Sequence, residues 1–401
     1  MISQRAWNGL DLVCVSHLRW DFVWQRPQHL MQRLSQSRKV LFIEEPVAVG
    51  GDAEPELVVR QETPTIWVAT LHVPYPEGKW IAFDSPWQEA YERKVAAWVR
   101  DWTDTAPVLW YYNPLPLGFI DALQPASVVY DVMDELRNFA VALPELVERE
   151  ERLLSRADVV FTGGASIHRS KQPHNPNTHL FPSGVEVQHF LAAQEGSTPL
   201  PPDVAHLRKP RIGYYGVIDE RLDLELIAAL AGLRPEWEWL FIGSVLKIDE
   251  SSLPEASNIH YLGQREYTQL PAYLKAFDVA MMPFALNEAT LYISPTKTLE
   301  YMAGGKPIVS TPVPDVVELY GEGVRIARNA EEFVAECEAA LAENAHEAAR
   351  RQAVYKRLLA AHEWDDIAER MEELVGGTLG EPSAAQLGAV TKEEYADEWQ
   401  Q

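Results

Sequence analysis

Twelve short apolar runs rich in β-branched and aromatic residues mark this chain, six on each side of a proline-rich break, with amphipathic segments between them. Such alternation builds parallel sheets, because a parallel neighbour needs a crossover connection and the crossover covers a sheet face. The first series occupies residues 10–16, 39–45, 65–70, 107–112, 127–132 and 158–164; the second occupies 211–216, 238–243, 258–263, 278–284, 307–311 and 324–328. The polar, proline-rich stretch 192–210 reads as an interdomain linker. At 401 residues the chain exceeds what one core supports, and an apolar content of 47% suffices for two. Two doubly wound α/β sheets are therefore expected. From Glu331 the pattern is helical, and after a break near His362 it sets Trp364, Ile367, Met371 and Leu374 at helical spacing, in a helix expected to return to the first domain. The last residues, 378–401, are polar and aperiodic and are expected to form a mobile tail.

A formal net charge of -24 excludes nucleic acid and charge-held anionic lipid as partners, since both require basic surface. Peripheral membrane contact is the most that this charge allows. Cys14 and Cys337 lie in different halves and fit no metal or disulfide spacing, which favours a reducing compartment. The start of the chain lacks a basic segment followed by a long apolar run, and no stretch of about 18 apolar residues occurs anywhere. The expectation is a cytoplasmic protein, with the inner face of the cell membrane as its outer limit. Oligomeric state is left open.

The segment with most chemistry is 294–316. Ser294 suits a helix cap and Pro295 the first helical position, leaving unpaired N–H groups near Thr296 that favour an anion. Lys297 in the first turn runs against the helix dipole, a misfit that points to a ligand. Glu300, three residues on, shares its face. One cation beside one carboxylate suits a diphosphate next to a ribose diol; an ordinary surface Lys–Glu pair is the plain alternative. Gly216 ends a strand where a side chain would hold a phosphate away from the backbone, and Arg221 offers a fork to phosphate oxygens or, more simply, a pair with Asp219 or Asp223. Gly263, Gln264 and Arg265 follow another strand, either as backbone partners of a base edge or as a plain turn.

These motifs resemble the nucleotide-sugar glycosyltransferases of the GT-B fold, particularly retaining enzymes of glycosyltransferase family 4, over nearly the whole chain. Residues 180–190 are similar to the family's loop before a Phe, here Phe190; residues 212–227 resemble its diphosphate-binding opening; residues 260–284 its nucleobase segment; and residues 294–316 its ribose-binding helix. Residues 20–30 are similar to a subgroup active in bacterial surface-polysaccharide assembly. The resemblance implies two Rossmann-like domains facing each other across a cleft: 1–205 with the helix 363–377 for the acceptor, and 206–362 for the donor. It also implies a metal-independent hexosyltransferase without a cofactor, moving a sugar from a nucleoside diphosphate sugar, a UDP-sugar first, to a glycan or lipid-linked acceptor. Arg221, Lys297 and Asp134 are the expected catalytic residues; Gly216, Gly263, Gln264, Arg265, Tyr292, Ser294, Pro295, Thr296 and Glu300 the expected donor contacts. The chain departs from the family at Tyr292, which stands where a first glutamate is usual, eight positions before Glu300; Glu288 is displaced by four. Retention thus rests on resemblance alone.

Nine of the thirteen tryptophans precede residue 111. His17, Trp20, Trp24 and Arg26 follow the first strand, and Tyr112 and Asn113 the fourth, at sheet ends where sugars stack and phosphates bind. Asp134 either orients the acceptor hydroxyl or caps a helix over 135–143. Trp98 and Trp102, at helical spacing, are expected to pack in the core. The competing readings are a GT-B sugar-nucleotide epimerase and a non-catalytic sugar-nucleotide or polysaccharide-binding subunit. A phosphorylase lacks its cofactor lysine here, and a nicotinamide dehydrogenase its glycine fingerprint.

Overall fold

The computed structural model describes residues 9–379 except 23, 53, 77 and 137–143. The expected tail lies outside the described residues beyond 379. The chain divides into two compact units: Met1–Gly163 with Ile167–Phe181 and Asp365–Gln401, and Gly164–Ser166 with Pro182–Trp364.

The first unit is built on β1 (Leu12–Val15), β2 (Val40–Ile43), β3 (Val47–Ala48), β4 (Glu56–Thr63), β5 (Ile66–Val73), β6 (Val108–Tyr111), β7 (Ser127–Val132), β8 (Val159–Thr162) and β9 (Thr178–Leu180). Its strands run in the order β3-β5-β2-β1-β6-β7-β8-β9, with β4 on the far edge of β5. All pairs are parallel except β4 with β5, an antiparallel hairpin. This hairpin departs from the all-parallel pattern. β4 is an edge strand without a buried residue, so it carries no continuous apolar run to find. β1, β2, β6, β7 and β8 are buried at every position.

The second unit holds β10 (Arg211–Tyr215), β11 (Glu238–Ile242), β12 (Ile259–Tyr261), β13 (Val279–Met282), β14 (Ile308–Ser310) and β15 (Arg325–Ile326) in the order β12-β11-β10-β13-β14-β15, all parallel. Numbered within the unit this is 3-2-1-4-5-6, the doubly wound order whose reversal between its first and fourth strands opens a ligand crevice at their carboxyl ends.

The proline-rich stretch 192–210 is no free linker. Ala193 and Val204 are buried in the second core. Lys275 Nζ donates to the carbonyls of Glu195 (2.7 Å) and Thr198 (2.6 Å), and the Arg211 guanidinium to those of Ala205 (3.1 Å) and Leu207 (2.6 Å). Pro202 opens the short helix Pro202–Ala205 within a packed unit. Apart from the three residues Gly164–Ser166, the chain passes between units instead at Phe181–Pro182 and Trp364–Asp365. The helix Trp364–Thr378 buries Ile367, Met371 and Val375, and Asp365 pairs with Arg33 (2.5 Å) while Arg370 lies 5.0 Å from the Phe181 ring.

Candidate active site

Three neighbouring strands of the second sheet end on glycine. Gly216 follows β10 with φ 141°, Gly243 follows β11 with φ 150° and Gly263 follows β12 with φ 71°. Gly216 N–H donates to Ile242 O (2.8 Å) and Gly243 N–H to Gly263 O (3.0 Å), so the three turns form one backbone shelf. A Cβ on Gly243 would lie 1.9 Å from Gly216 O, and one on Gly216 would lie 2.0 Å from Lys297 Cε. Only glycine lets the shelf close and lets Lys297 lie against it. Sequence reasoning singled out Gly216 and Gly263 and missed Gly243. Its signal was that three successive runs end on the same residue.

Lys297 opens the helix Lys297–Ala303, which buries Thr298, Leu299, Tyr301 and Met302 and leaves Lys297 and Glu300 on the open side. Both are half-buried yet crowded by protein. Burial, with help from the Arg221 charge, pushes the Lys297 ammonium below its usual range, against Glu300 and Asp219. Burial raises the Glu300 carboxyl, while Lys297 and the Tyr215 hydroxyl draw it back down. The helix starts later than expected. Thr296, not Ser294, holds the cap position, and no side chain caps it; Ser294 instead bonds the Tyr320 phenol, with Pro295 buried beside it. Tyr292 is half-buried in the preceding turn and Glu288 is exposed.

Arg221 takes the simpler of its two expected roles. Its Nε and Nη2 grip the buried Asp219 carboxylate at 2.9 and 2.7 Å, so the fork expected to meet phosphate already holds a carboxylate. Asp223 is not its partner but caps the helix Leu224–Leu233 through Leu226 N–H (2.9 Å). The Gln264 amide oxygen accepts from Ser244 (2.9 Å). Arg265 turns to Asp203 (2.8 Å) and to the Tyr273 hydroxyl (2.5 Å), which leaves only its backbone for a ligand. One cluster went unseen in the sequence. Tyr267 stacks on His189 at 4.2 Å, donates to Glu186 (2.9 Å), and is pushed up by burial with the charges of Glu300 and Glu186.

In the first unit the switch lies between β1 and β6, and the expected acceptor residues divide there. Arg26 is fully buried: its Nε meets both Asp131 oxygens at 2.9 Å and Nη1 donates to Phe181 O (2.7 Å), so it is a structural anchor and contacts no acceptor. Trp20 is also buried, edge-on to Phe42 at 5.2 Å. Tyr112 is buried at the floor, and the Asn113 side chain closes a turn on Leu115 N–H (2.9 Å). His17 is partly buried, its imidazole pushed down to about 4 by burial against an opposing backbone group of Tyr112. Trp24 is 44% exposed. Asp134 is half-exposed after β7, and the helix it was to cap lies largely outside the described residues. Trp98 and Trp102 pack on one another at 5.5 Å.

Residues 209–343 match the model of the family described as Glycosyl transferases group 1. The second unit carries a group 1 glycosyl transferase domain. Its bounds take in the glycine shelf, Arg221, Lys297 and Glu300. A protein of Bacillus subtilis (strain 168), TuaH, ascribed to teichuronic acid biosynthesis as a glycosyltransferase, is 23% identical over 269 residues, 63% of this chain. The match spans 64% of that relative's length. Sucrose-phosphate synthase from Thermosynechococcus elongatus shares the fold at TM-score 0.66 and 16% identity over 95% of this chain and 100% of its own. A UDP-forming α,α-trehalose-phosphate synthase from Burkholderia xenovorans does so at 0.66 and 14% over 92% and 99%. The architecture around the glycosyl transferase domain is thus GT-B, two Rossmann-like units in one chain. Among the described residues, no group of three His, Cys, Asp or Glu side chains is arranged to hold a metal, and no helix is long and apolar enough to cross a membrane.

Proposed function

We propose that this chain transfers a glycosyl group from a nucleoside diphosphate sugar, a UDP-sugar first, to a hydroxyl of a glycan or lipid-linked acceptor in the assembly of a bacterial surface polysaccharide. The observation that carries the reading is the Lys297 ammonium laid against the Gly216 turn at the switch point, with Glu300 one helical turn on, inside the segment that matches the group 1 family. The shelf N–H groups and Lys297 receive the diphosphate, Glu300 takes the ribose diol, and backbone at 263–265 meets the base. The anomeric C–O bond to the β-phosphate breaks and negative charge grows on the departing oxygen. Lys297 is aimed at that charge, and Arg221, neutralised by Asp219, contributes field more than a direct bond.

The acceptor oxygen forms the new anomeric bond, and its proton passes to the departing phosphate when attack comes from the same face, the retaining course. No carboxylate at Tyr292 is then needed. Asp134 and His17, at the carboxyl ends of β7 and β1 with β6 between them, orient the acceptor. Teichuronic acid synthesis, ascribed to the Bacillus relative, supports a surface glycan as product.

A thermal-shift panel of UDP-, GDP-, dTDP- and ADP-sugars, followed by nucleoside diphosphate release with the stabilising donor, tests this. Selective stabilisation is expected, together with a turnover lower by about 10² in Lys297→Ala. A protein that no donor stabilises does not have this site.

A further inference from the structure

The carboxyl end of β2 carries two adjacent glutamates that point opposite ways along the extended backbone. Glu44 turns inward, accepting from Trp20 N–H (2.7 Å), Arg19 Nη1 (3.2 Å) and Thr70 (3.2 Å), which locks the loop after β1. Glu45 has no such duty. It is buried, and its Oε2 accepts the indole N–H of Trp80 at 3.0 Å. Trp80 is 72% exposed, the most exposed large apolar side chain described. It is not a loose end, because Ile81, Ala82 and Phe83 behind it are buried and Lys79 N–H ahead of it bonds Pro76 O (3.1 Å). The backbone under Glu45 is fixed as well: Arg19 Nη1 donates to Glu45 O, Arg19 Nη2 to Pro46 O (2.9 Å), and the Tyr91 hydroxyl to Glu44 O (2.8 Å).

An exposed indole held edge-on by a buried carboxyl group presents a fixed apolar face for the axial C–H groups of a sugar ring. We propose that Trp80 and Glu45 form a binding subsite for an internal hexose of the glycan acceptor, one strand removed from the transfer point. This rests on the transferase reading above and adds the part of the substrate it recognises. β2 neighbours β1, whose end carries His17, so the subsite and the expected acceptor residues share one end of the first sheet. Arg19 and Asp84 are the charges that act on Glu45, one of each sign, and a neutral ring suits that balance better than an anionic one. The chain's net charge of -24 likewise favours a glycan over an anionic lipid surface as the occupant of this aromatic.

Saturation-transfer NMR on the full chain with methyl β-glucoside, cellotetraose, maltotetraose and chitotetraose tests the subsite, with the donor thermal shift recorded on every variant. At least one tetraose is expected to bind, with transfer concentrated on the C–H protons of one ring and with the monosaccharide about tenfold weaker. Trp80→Ala should weaken the tetraose about tenfold and Glu45→Gln about fivefold, while both keep the wild-type donor shift. Tetraose affinity within twofold of wild type in Trp80→Ala, or no contact with any of the saccharides, overturns the proposal. So does binding to phosphatidylglycerol–phosphatidylethanolamine vesicles that Trp80→Ala abolishes while no saccharide binds, since the surface then belongs to a membrane. Saccharide contact through Trp80 without any donor shift would keep the subsite and remove the transferase reading.

Discussion

At the scale of single residues, burial decides which ionisable groups are tools and which are fasteners. Asp131 and Asp219 are buried but each is matched to an arginine fork, so their charges are spent on the fold. Glu45 is buried against an indole, which lowers its carboxyl less than the lost water raises it; Arg19 also lowers it, Asp84 raises it, and the result stands at about 7 against an ordinary 4.5. Its folded pKa is thus raised, and the folded chain holds a proton that the unfolded chain gives up between those values. The associated stability is complete below about pH 4.5 and is lost as pH rises through about 7, a difference of about 3 kcal/mol for such a shift. Glutamine has no proton to lose. Urea unfolding of wild type and Glu45→Gln at pH 5 and pH 8 should show the variant gaining roughly that much relative to wild type across the interval. An unchanged difference would mean that Glu45 is ionised throughout.

At the scale of elements, the apolar runs were legible because parallel strands buried on both faces leave no polar positions to blur them, as in β1, β2, β10 and β11. The β4–β5 hairpin was not, since solvent on β4 removes the signal. Lys297 and Glu300 were legible from their spacing on one helix. Tyr267, His189 and Glu186 were not, because they meet only when the short helical turn Tyr267–Gln269 and the helix Val187–Leu191 come together across a long sequence separation. Arg26 shows the opposite error: an arginine in a loop among aromatics looks like a ligand contact, and only the fold reveals Asp131 on β7 facing it. Arg26 occupies the first position of the helix Arg26–Leu34, where the dipole disfavours a cation, so Asp131 and Phe181 O must hold it. Asp131→Ala therefore strands a buried guanidinium and should cost about 3–5 kcal/mol in chemical unfolding, whereas Asp365→Ala, which breaks an exposed pair with Arg33, should cost under about 1 kcal/mol. Equal losses would show that the Arg26 pair is solvated.

At the scale of the whole molecule, the chain leaves its first unit at Phe181 and comes back at Asp365, so the first unit is completed only by the last helix that the structure describes. Within the second unit the two passages are stitched side by side: Val185 N–H donates to His362 O (2.9 Å), Val185 bridges Glu363, and a Cβ on Gly184 would strike the Trp364 ring at 2.7 Å. The shelf that carries Gly216 and Lys297 is built wholly from residues of the second unit, whereas Met371, Ile367 and Val375 fill the first. Damage to that last helix should therefore stay local. Met371 is fully buried, and Met371→Ala should destabilise the first unit by about 2–5 kcal/mol through the lost contacts and the cavity left behind. Hydrogen exchange resolved by segment reports the two units separately. Amides of β1, β6 and β7 are expected to exchange faster in the variant, while the protection that a stabilising donor confers on residues 213–217 and 296–300 persists. If donor protection vanished along with the first-unit amides, the donor site would depend on the first unit as well, and the division of labour drawn between the two would fail.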